Sequence, residues 1–395
     1  MGKTAILSLT AMIAGQIAVA MAIMTVPVLA PQISEDMNIE PSKIGLYSAV
    51  AFAGAITFTS LAGSVIARYG VIRTTQIALC LGAFGLCISL FMWIPAFIFG
   101  AFAVGMGYGV ATPAASHLLA RTIAPEQRGF IFSIKQSGVP IGGFLLGVTI
   151  QLVAFQNRWQ YGLLTINFLL FLLILMLQLI RTLFDTGLEK NKKISPAETV
   201  AAVKLAVKDS RLRPLALSSF IYAMMQLSIF TFYVVVLVEQ VNLDPVTAGT
   251  VFSIMHVGGI VGRPLLGWIS DKILPAVPLL SLVGFAIFLC GLALAALSAD
   301  WPYLLLCALS FVAGVVAAGW NGVYISEIAR VMPSADVGRA TGGVSAFTFL
   351  GVVIGPAAFT TIVGFSGSYS IAFLVVGTIA IGPAIILLLQ YFNQK

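Results

Sequence analysis

Apolar runs of about 20 residues follow one another along almost the whole chain, and an α-helix needs that length to cross a bilayer. Of the 395 residues, 59% are hydrophobic and 9% are charged, whereas a soluble domain carries about 25% charged residues. No soluble core could enclose this much apolar surface, so the sequence predicts an all-α integral membrane protein with twelve transmembrane helices. The predicted spans, numbered 1 to 12, are 7–31, 43–67, 74–93, 95–119, 129–154, 159–181, 214–238, 247–270, 277–298, 301–323, 339–363 and 368–392.

Composition also argues against several other classes of protein. The net charge of +7 does not indicate nucleic-acid binding, because the positive residues are scattered over short loops rather than gathered on one basic face. The cysteines all lie inside apolar runs, with neither metal-ligand nor disulfide-framework spacing. The first run is too long for a signal-peptide core. Since no nucleophile–base pair, metal cluster or cofactor fingerprint is visible, we expect no enzyme activity, metal or cofactor.

The lysines and arginines between the spans predict the orientation, because cytoplasmic loops carry the excess of positive charge. With both termini cytoplasmic, 17 of the 21 cations lie inside and two, Lys43 and Arg158, lie outside. The remaining two, Lys135 and Arg263, fall within spans. We therefore expect a multi-pass protein of the cell inner (plasma) membrane with both termini in the cytoplasm.

A polar stretch, 182–213, separates a first set of six spans (1–181) from a second (214–395). Its residues Ser195, Pro196 and Glu198 have the pattern of an N-cap, a first-turn proline and a capping-box acid. That pattern predicts a short interfacial helix from about 196 to 208 in a cytoplasmic linker. A solvated linker is the alternative interpretation.

The two sets of spans carry matching segments. GSVIAR at 63–68 matches GWISDK at 267–272 with an offset of 204, and LARTIAPEQRG at 119–129 resembles IARVMPSADVGR at 328–339 with an offset near 209. Two parallel repeats of six spans, forming pseudo-symmetric six-helix bundles, are typical of secondary transporters.

These motifs resemble the major facilitator superfamily, and the resemblance covers the whole chain. GWISDK matches the family's G-x-x-x-D-[RK] loop signature between helices 8 and 9, whereas the first copy has Ala67 in place of the acid. SGVPIGGFLLG, at 137–147, resembles the Gly/Pro-rich motif of helix 5, while the arginine common in helix 4 is absent from 99–109. The resemblance implies alternating access, a central cavity lined by spans 1, 4, 7 and 10, and packing of span 5 against span 8.

The two intramembrane cations are the strongest candidates for a substrate site. A charge at mid-membrane costs at least about 2.5–3.5 kcal/mol on insertion scales. Arg263 in span 8 and Lys135 in span 5 each lie about 10 Å of helix from the cytoplasmic end, so either could be structural and reach the interface or a carbonyl. Neighbouring spans supply no acid to neutralise them, which favours a bound anion shared by both.

A second resemblance concerns Arg263 alone. VGRPLLGWISD resembles helix 8 of monocarboxylate transporters, which use an arginine there on substrate, and oxalate/formate antiporters also carry an arginine in helix 8. Gly259 stands where the monocarboxylate transporters have an acid.

Polar and aromatic side chains on the cavity spans suit a small organic ligand. Besides Arg263 and Lys135, the residues expected to contact substrate are Gln136, Gln16, Tyr108, Tyr222, Gln226, Tyr233, Trp320, Asn321 and Tyr324, with Thr112 beside Tyr108. Each could instead form a helix–helix hydrogen bond. We expect close packing of spans 5 and 8 through their glycines, namely Gly138, Gly142, Gly143, Gly147, Gly258, Gly259 and Gly262.

Proton-coupling and gating residues are predicted more indirectly. His256 lies seven residues before Arg263 on the same helical face and could carry a proton, since histidine titrates near neutral pH, or could simply pack. Glu327 is the second candidate, unless it pairs with Arg330 or Arg121. The resemblance assigns Asp271 and Arg339 to cytoplasmic gating loops, and plain topology charge is the alternative.

The sequence thus predicts a secondary active transporter that moves a small organic anion, a carboxylate, by proton-coupled symport. Its expected partners are that anion, a proton and the lipid bilayer, with no nucleic acid, and the protein is expected to be a monomer. The alternative is a proton-driven exporter of drugs or lipophilic compounds. Such exporters usually place an acid in their first-half helices, and spans 1, 2, 4 and 5 have none in their interiors.

Overall fold

The computed structural model describes residues 2–38, 44–153 and 158–393, so the predicted loop cation Lys43 and the terminal Lys395 lie outside it. The described residues form α-helices and no β-strand. In chain order the helices are α1 (Lys3–Val28), α2 (Ala30–Met37), α3 (Ile44–Tyr69), α4 (Val71–Ser89), α5 (Ile94–Thr122), α6 (Arg128–Gln136), α7 (Gly138–Val153), α8 (Trp159–Phe184), α9 (Pro196–Lys208), α10 (Leu212–Glu239), α11 (Pro245–Lys272), α12 (Ala276–Ala295), α13 (Tyr303–Val331), α14 (Val337–Ser366), α15 (Tyr369–Ile379) and α16 (Ile381–Asn393).

Among the described residues, twelve helical segments are long and apolar enough to cross a membrane, which confirms the predicted all-α fold. Two of these segments, Pro125–Ile150 and Tyr369–Phe392, each combine two consecutive helices, α6 with α7 and α15 with α16. Helix α13 ends at Val331, about two turns beyond its predicted end at 323. Its last turns carry Glu327 and Arg330, and hydropathy alone does not reveal a helix that continues through charged residues.

The chain forms two compact units. Unit 1 contains Met1–Ala124, Lys135–Ala206 and Met332–Ala346, and unit 2 contains Pro125–Ile134, Val207–Val331 and Phe347–Lys395. The first turns of α6 therefore belong to unit 2, and the first turns of α14 belong to unit 1. Each of these segments follows one of the loops that repeat in the sequence.

Glycines set the closest helix contacts within each unit. In unit 2, a Cβ on Gly262 would lie 2.7 Å from Val315 Cα, and Gly259 faces Ala318, so α11 packs on α13. In unit 1, a Cβ on Gly138 would lie 3.1 Å from the side chain of Gln16. The expectation that these glycines join spans 5 and 8 is thus wrong, because a glycine permits close approach without selecting the neighbour.

The remaining members of that glycine set agree with this correction. Gly258 contacts the backbone of Phe311 on α13, while Gly142 and Gly143 contact α1 at Ile17 and Met24. A Cβ at Gly147 would meet nothing within 4 Å. Within this set, the span 5 glycines therefore pack on span 1 and the span 8 glycines on span 10, whereas spans 5 and 8 meet at Gly129 and Gly267, which the set did not include.

Helix α11 begins at a side-chain cap. The Asp244 carboxylate accepts hydrogen bonds from the N–H groups of Val246 and Thr247, both at 3.1 Å. Hydrogen bonding from Thr247, first through its side chain and then through its backbone, holds the pKa of Asp244 below its usual value. The cap satisfies two of the N–H groups that a helix start leaves unpaired.

Candidate functional site

Unit 1 encloses the Lys135 ammonium in a cluster of neutral oxygen atoms. Lys135 Nζ lies 2.5 Å from Gln16 Oε1, 3.0 Å from Gln136 Oε1 and 3.3 Å from Thr112 Oγ1. Thr112 in turn donates to Gln16 Oε1 at 3.4 Å. Lys135 is 3% exposed, and the three partners are also buried. We call Lys135, Gln16, Thr112 and Gln136 the ammonium cluster.

The ammonium cluster satisfies hydrogen bonds without neutralising charge. An ammonium has three N–H donors, and here each has one acceptor. All three acceptors are amide or hydroxyl oxygens, and no ion pair of Lys135 occurs among the residues that the structure describes. A cation buried in this way is costly in a medium of low dielectric constant unless an anion pairs with it.

The helix of span 5 is interrupted beside this cluster. Helix α6 ends at Gln136 and α7 begins at Gly138, two residues later. Gly138 permits the break to lie against Gln16, because any larger residue would press on the Gln16 side chain. The start of α7 presents the positive end of a helix dipole near the same place. Discontinuous membrane helices often hold ligands at such breaks.

Helix α5 also carries Tyr108, one turn before Thr112. Its half-buried ring meets Phe52 edge-on, with centroids 6.2 Å apart. The sequence predicted Tyr108 as a substrate contact together with Gln16 and Lys135. In the structure its ring packs against the ring of Phe52.

In unit 2, Arg263 is 6% exposed, and its Nη1 donates to the carbonyl oxygen of Gly259 at 3.2 Å. Gly259 precedes Arg263 by one helical turn. The guanidinium therefore makes the carbonyl contact that the sequence offered as one alternative.

The polar residues of α10 and α13 fall into two groups. Asn321 Nδ2 donates to Gln226 Oε1 at 3.2 Å and to the Ala318 carbonyl at 3.1 Å, and both amides are half-buried. Tyr222 and Tyr233 are fully buried, and their hydroxyls bond the Leu280 carbonyl (2.8 Å) and Ser310 Oγ (2.7 Å). Gln226 and Asn321 thus pair with each other and stay half-buried, whereas the two tyrosines are fully buried and join helices.

Two aromatic residues of α13 extend the tyrosine group. The Trp320 ring packs edge-on against Tyr222, with centroids 5.8 Å apart, and lies 5.1 Å from the Tyr324 ring. Trp320 Nε1 donates to the Ala317 carbonyl at 2.9 Å, and Thr348 Oγ1 donates to the Tyr324 hydroxyl at 3.4 Å. These side chains stabilise the helix packing around the amide pair.

The two predicted proton carriers have different surroundings. His256 is half-buried between Phe230, on which it stacks at 5.1 Å, and Phe252, whose carbonyl lies 3.2 Å from its Nδ1. Glu327 is 2% exposed and accepts two hydrogen bonds from Arg330, at 2.6 and 2.7 Å. Glu327, the second candidate, is therefore held in a bidentate ion pair with Arg330, as the sequence analysis had allowed.

The Asp271 carboxylate binds the start of a helix that is distant in sequence. Its two oxygens accept hydrogen bonds from the N–H groups of Gly129 and Phe130, both at 2.8 Å. Arg128, at the same helix start, donates to the Ala329 carbonyl at 2.8 Å. A negative charge at the N-terminus of α6 complements the helix dipole, so Asp271 fixes α6 within unit 2.

Arg339 contacts the linker helix. Its Nη2 lies 2.9 Å from Glu198 Oε2, and both side chains are about one-third exposed or less. Glu198 was predicted as a capping-box acid, and the structure places its carboxylate on Arg339 of α14 instead. A Cβ on Gly343, one turn further along α14, would collide with the backbone of Ala202. Helix α9 is therefore held against α14 by an ion pair and a close glycine contact.

Two features of the site were missed at the level of sequence. Thr112 was named only as a cavity residue, and its contact with Lys135 joins positions far apart in the chain. Asp185, which the sequence left in the linker, accepts hydrogen bonds from the N–H groups of Ile72 and Arg73 at the start of α4, at 2.8 and 3.0 Å. The glycine at position 70 was the available sequence signal of a tight turn there, and in the structure its φ is +89°.

Comparison with known proteins places this architecture among transporters. A family model described as Major Facilitator Superfamily matches residues 12–324. A hexuronate transporter of Bacillus subtilis (strain 168) is 24% identical, over 90% of this chain and 87% of its own length.

Solved structures of similar fold include two transporters. The E. coli fucose:proton symporter is 16% identical with a TM-score of 0.77, and the match covers 98% of each chain. The human organic anion transporter is 15% identical with a TM-score of 0.76, covering 98% of this chain and all of its own. At this level of identity, the two structures support the twelve-span fold.

Proposed function

The chain belongs to the major facilitator superfamily of membrane transporters, and on that premise we propose that it is a secondary active transporter of a small organic anion. In this proposal the substrate carboxylate binds the Lys135 ammonium and replaces one of its neutral acceptors. Transport proceeds by alternating access and is coupled to a proton.

The observation that carries the proposal is the composition of the ammonium cluster. A buried cation is expensive to maintain, and a carboxylate would lower that free energy more than an amide oxygen does, because it adds charge neutralisation to the hydrogen bond. The neutral acceptors keep the site hydrogen-bonded when no anion is present. The start of α7 beside the cluster favours a negative charge as well.

The substrate class follows from the polar groups beside the cation. Gln16, Gln136 and Thr112 offer both donors and acceptors, which suits the hydroxyls of a sugar acid better than the tail of a simple aliphatic acid. The likeness to a hexuronate transporter supports the same choice. We therefore propose a hexuronate-like sugar acid, rather than a simple monocarboxylate, as the first substrate to test.

Unit 2 supplies candidates for the other functions. Arg263, Gln226 and Asn321 are proposed as further substrate contacts, since Arg263 is a buried cation and the two amides are half-buried. His256 is proposed as the proton carrier in preference to Glu327, because both oxygens of the Glu327 carboxylate already accept hydrogen bonds from Arg330. Asp271 and Arg339 are proposed as gating residues whose hydrogen bonds change during transport.

Uptake into proteoliposomes tests the function directly. Vesicles containing the purified protein should accumulate radiolabelled glucuronate under an imposed proton gradient, and glucose should compete poorly. Lys135→Met should abolish this uptake, while Arg158→Gln, which removes an exposed cation at the start of α8, should leave it intact. If the vesicles took up a lipophilic cation instead of glucuronate, and Lys135→Met did not change that uptake, the protein would be an exporter of lipophilic compounds.

A further inference from the structure

The internal repeat contains a pair of equivalent cavities that differ in charge. In unit 2, a cavity of about 580 Å³ is lined by Asp271, Glu327, Arg330 and Gly129, among others. In unit 1, a cavity of about 270 Å³ is lined by Ala67, Arg121 and Gly338, the repeat equivalents of Asp271, Arg330 and Gly129, and by His117, the equivalent of Ser326. The offsets are 204 for Ala67 with Asp271, and 209 for Arg121 with Arg330 and for Gly338 with Gly129.

Both cavities have the same surrounding packing. In unit 2, a Cβ on Gly267 would lie 2.7 Å from Ser133 Cβ, so α11 meets α6 without a gap. In unit 1, the repeat partner Gly63 meets Arg339 at the start of α14, where a Cβ would lie 2.7 Å from Arg339 Cβ. The helix ends are therefore brought together in the same way, and the difference lies in the side chains.

The unit 1 cavity has lost the two carboxylates of its counterpart. Asp271, which bonds the Gly129 and Phe130 N–H groups, corresponds to Ala67. Glu327, which holds Arg330, corresponds to Leu118. Arg121 has no ion pair among the described residues. The arginine of the repeat is thus present in both units, whereas the two acids are present in unit 2 alone.

His117 adds a second polar side chain to the cavity. Its Nδ1 is buried and makes no hydrogen bond with any described residue. The atom lies 3.7 Å from the position that a Cβ on Gly338 would take, so it faces the helix start across the cavity. One acid, Glu189, also lines the cavity, but its side chain is 62% exposed and lies 3.5 Å from Lys192 Nζ.

We propose that the unit 1 cavity is a binding site for a small oxyanion, either a phosphate or a carboxylate, distinct from the ammonium cluster. The bound anion takes the place of the missing Asp271-like carboxylate. It accepts hydrogen bonds from Arg121 and His117. It fills the space that the small side chain of Ala67 leaves where unit 2 has the Asp271 carboxylate. By the charge bias of the loops this site faces the cytoplasm, so it would respond to cytoplasmic anions rather than carry the transported one.

Equilibrium binding of radiolabelled inorganic phosphate to the purified, detergent-solubilised protein tests the site, with chloride as the background salt. The wild type should bind about one phosphate per chain. Arg121→Gln should weaken binding at least about tenfold, the loss expected for one charge-assisted hydrogen bond. Ala67→Asp should abolish binding, because the new carboxylate occupies the site as Asp271 does in unit 2.

Two further variants separate this site from other cations and from the transport site. Arg73→Gln removes a cation at the start of α4 that does not line the cavity, and this variant should bind phosphate as the wild type does. Lys135→Met should also retain phosphate binding, so failure of the transport proposal would leave this result unaffected. Displacement of phosphate by equimolar acetate would assign a carboxylate ligand, and no displacement would assign phosphate. Absence of binding in the wild type, or unchanged binding in both Arg121→Gln and Ala67→Asp, would overturn the proposal.

Discussion

Lys135 and Gln16, 119 positions apart in the sequence, meet at 2.5 Å within one buried cluster of unit 1. The contact joins the first span to the fifth at the point where the fifth is broken. It surrounds Lys135 Nζ with neutral oxygens and with no carboxylate among the described residues, so the cluster has room for an anionic partner.

Replacing Lys135 with methionine should separate transport from stability. The variant removes a buried charge and keeps the length of the side chain, so the thermal unfolding midpoint should stay the same or rise. Glucuronate should raise the midpoint of the wild type by mass action and leave that of Lys135→Met unchanged. A large fall in the midpoint of the unliganded variant would instead show that Lys135 is a structural residue.

A double-mutant cycle should detect the Lys135–Gln16 contact itself. Gln16→Leu removes one acceptor from the ammonium and should lower the free energy of unfolding by about 1–3 kcal/mol. In the Lys135→Met background the same change should have a much smaller effect, giving an interaction energy of about 0.5–3 kcal/mol. Gln76→Leu is the matched control, because Gln76 is a buried glutamine that bonds Ile174 and Gln178 and shares no partner with Lys135. Equal coupling for both glutamines would contradict the assignment.

Removing the Asp271 carboxylate should destabilise the start of α6. Asp271→Ala loses two charge-assisted hydrogen bonds to backbone N–H groups and should lower the unfolding free energy by about 1.5–3 kcal/mol. Asp271→Asn keeps one acceptor oxygen, so its unfolding free energy should lie between those of the wild type and Asp271→Ala. Asp300→Ala, in an exposed loop, should be close to neutral. Chemical denaturation of the three variants in one detergent makes the comparison, and an inert Asp271→Ala would count against the cap.

The Arg339–Glu198 and Arg330–Glu327 ion pairs should respond differently to salt. The carboxylate of Glu198 is 23% exposed and that of Glu327 is 3% exposed. Coupling between Arg339 and Glu198 should be about 0.2–1 kcal/mol at about 0.1 M salt. It should vanish near 1 M salt, because the Debye length there is only about 3 Å. Coupling between Arg330 and Glu327 should persist at both concentrations. Charge-neutral glutamine variants in two parallel cycles give the measurement.

His256→Gln should uncouple substrate movement from proton movement. A pH-sensitive dye trapped in proteoliposomes should report proton entry when glucuronate is added to the wild type. The variant should lose this signal while still exchanging glucuronate between the two sides, since the substrate contacts are intact. Loss of the proton signal in Glu327→Gln, with His256→Gln unchanged, would transfer the role to Glu327.

The twelve spans were predictable because lipid imposes one simple requirement on every segment. A helix that crosses it must be about 20 apolar residues long, and this can be read locally along the chain. The same local reading fails at α13, where Glu327 and Arg330 extend the helix beyond its apolar part. It also fails for the linker acid Glu198, whose carboxylate pairs with a residue 141 positions away.

The sequence by itself determined that Lys135 and Arg263 are intramembrane cations and that the chain contains a repeat, because charge, hydropathy and spacing are properties of single segments. Only the tertiary structure decided that Lys135 meets Gln16 and Thr112, that Arg263 meets its own helix at Gly259, and that Tyr222 and Tyr233 join helices rather than face open space. Those outcomes depend on which helices become neighbours and how each is rotated. Many packings bury the same apolar surface equally well, so residue composition alone does not select among them.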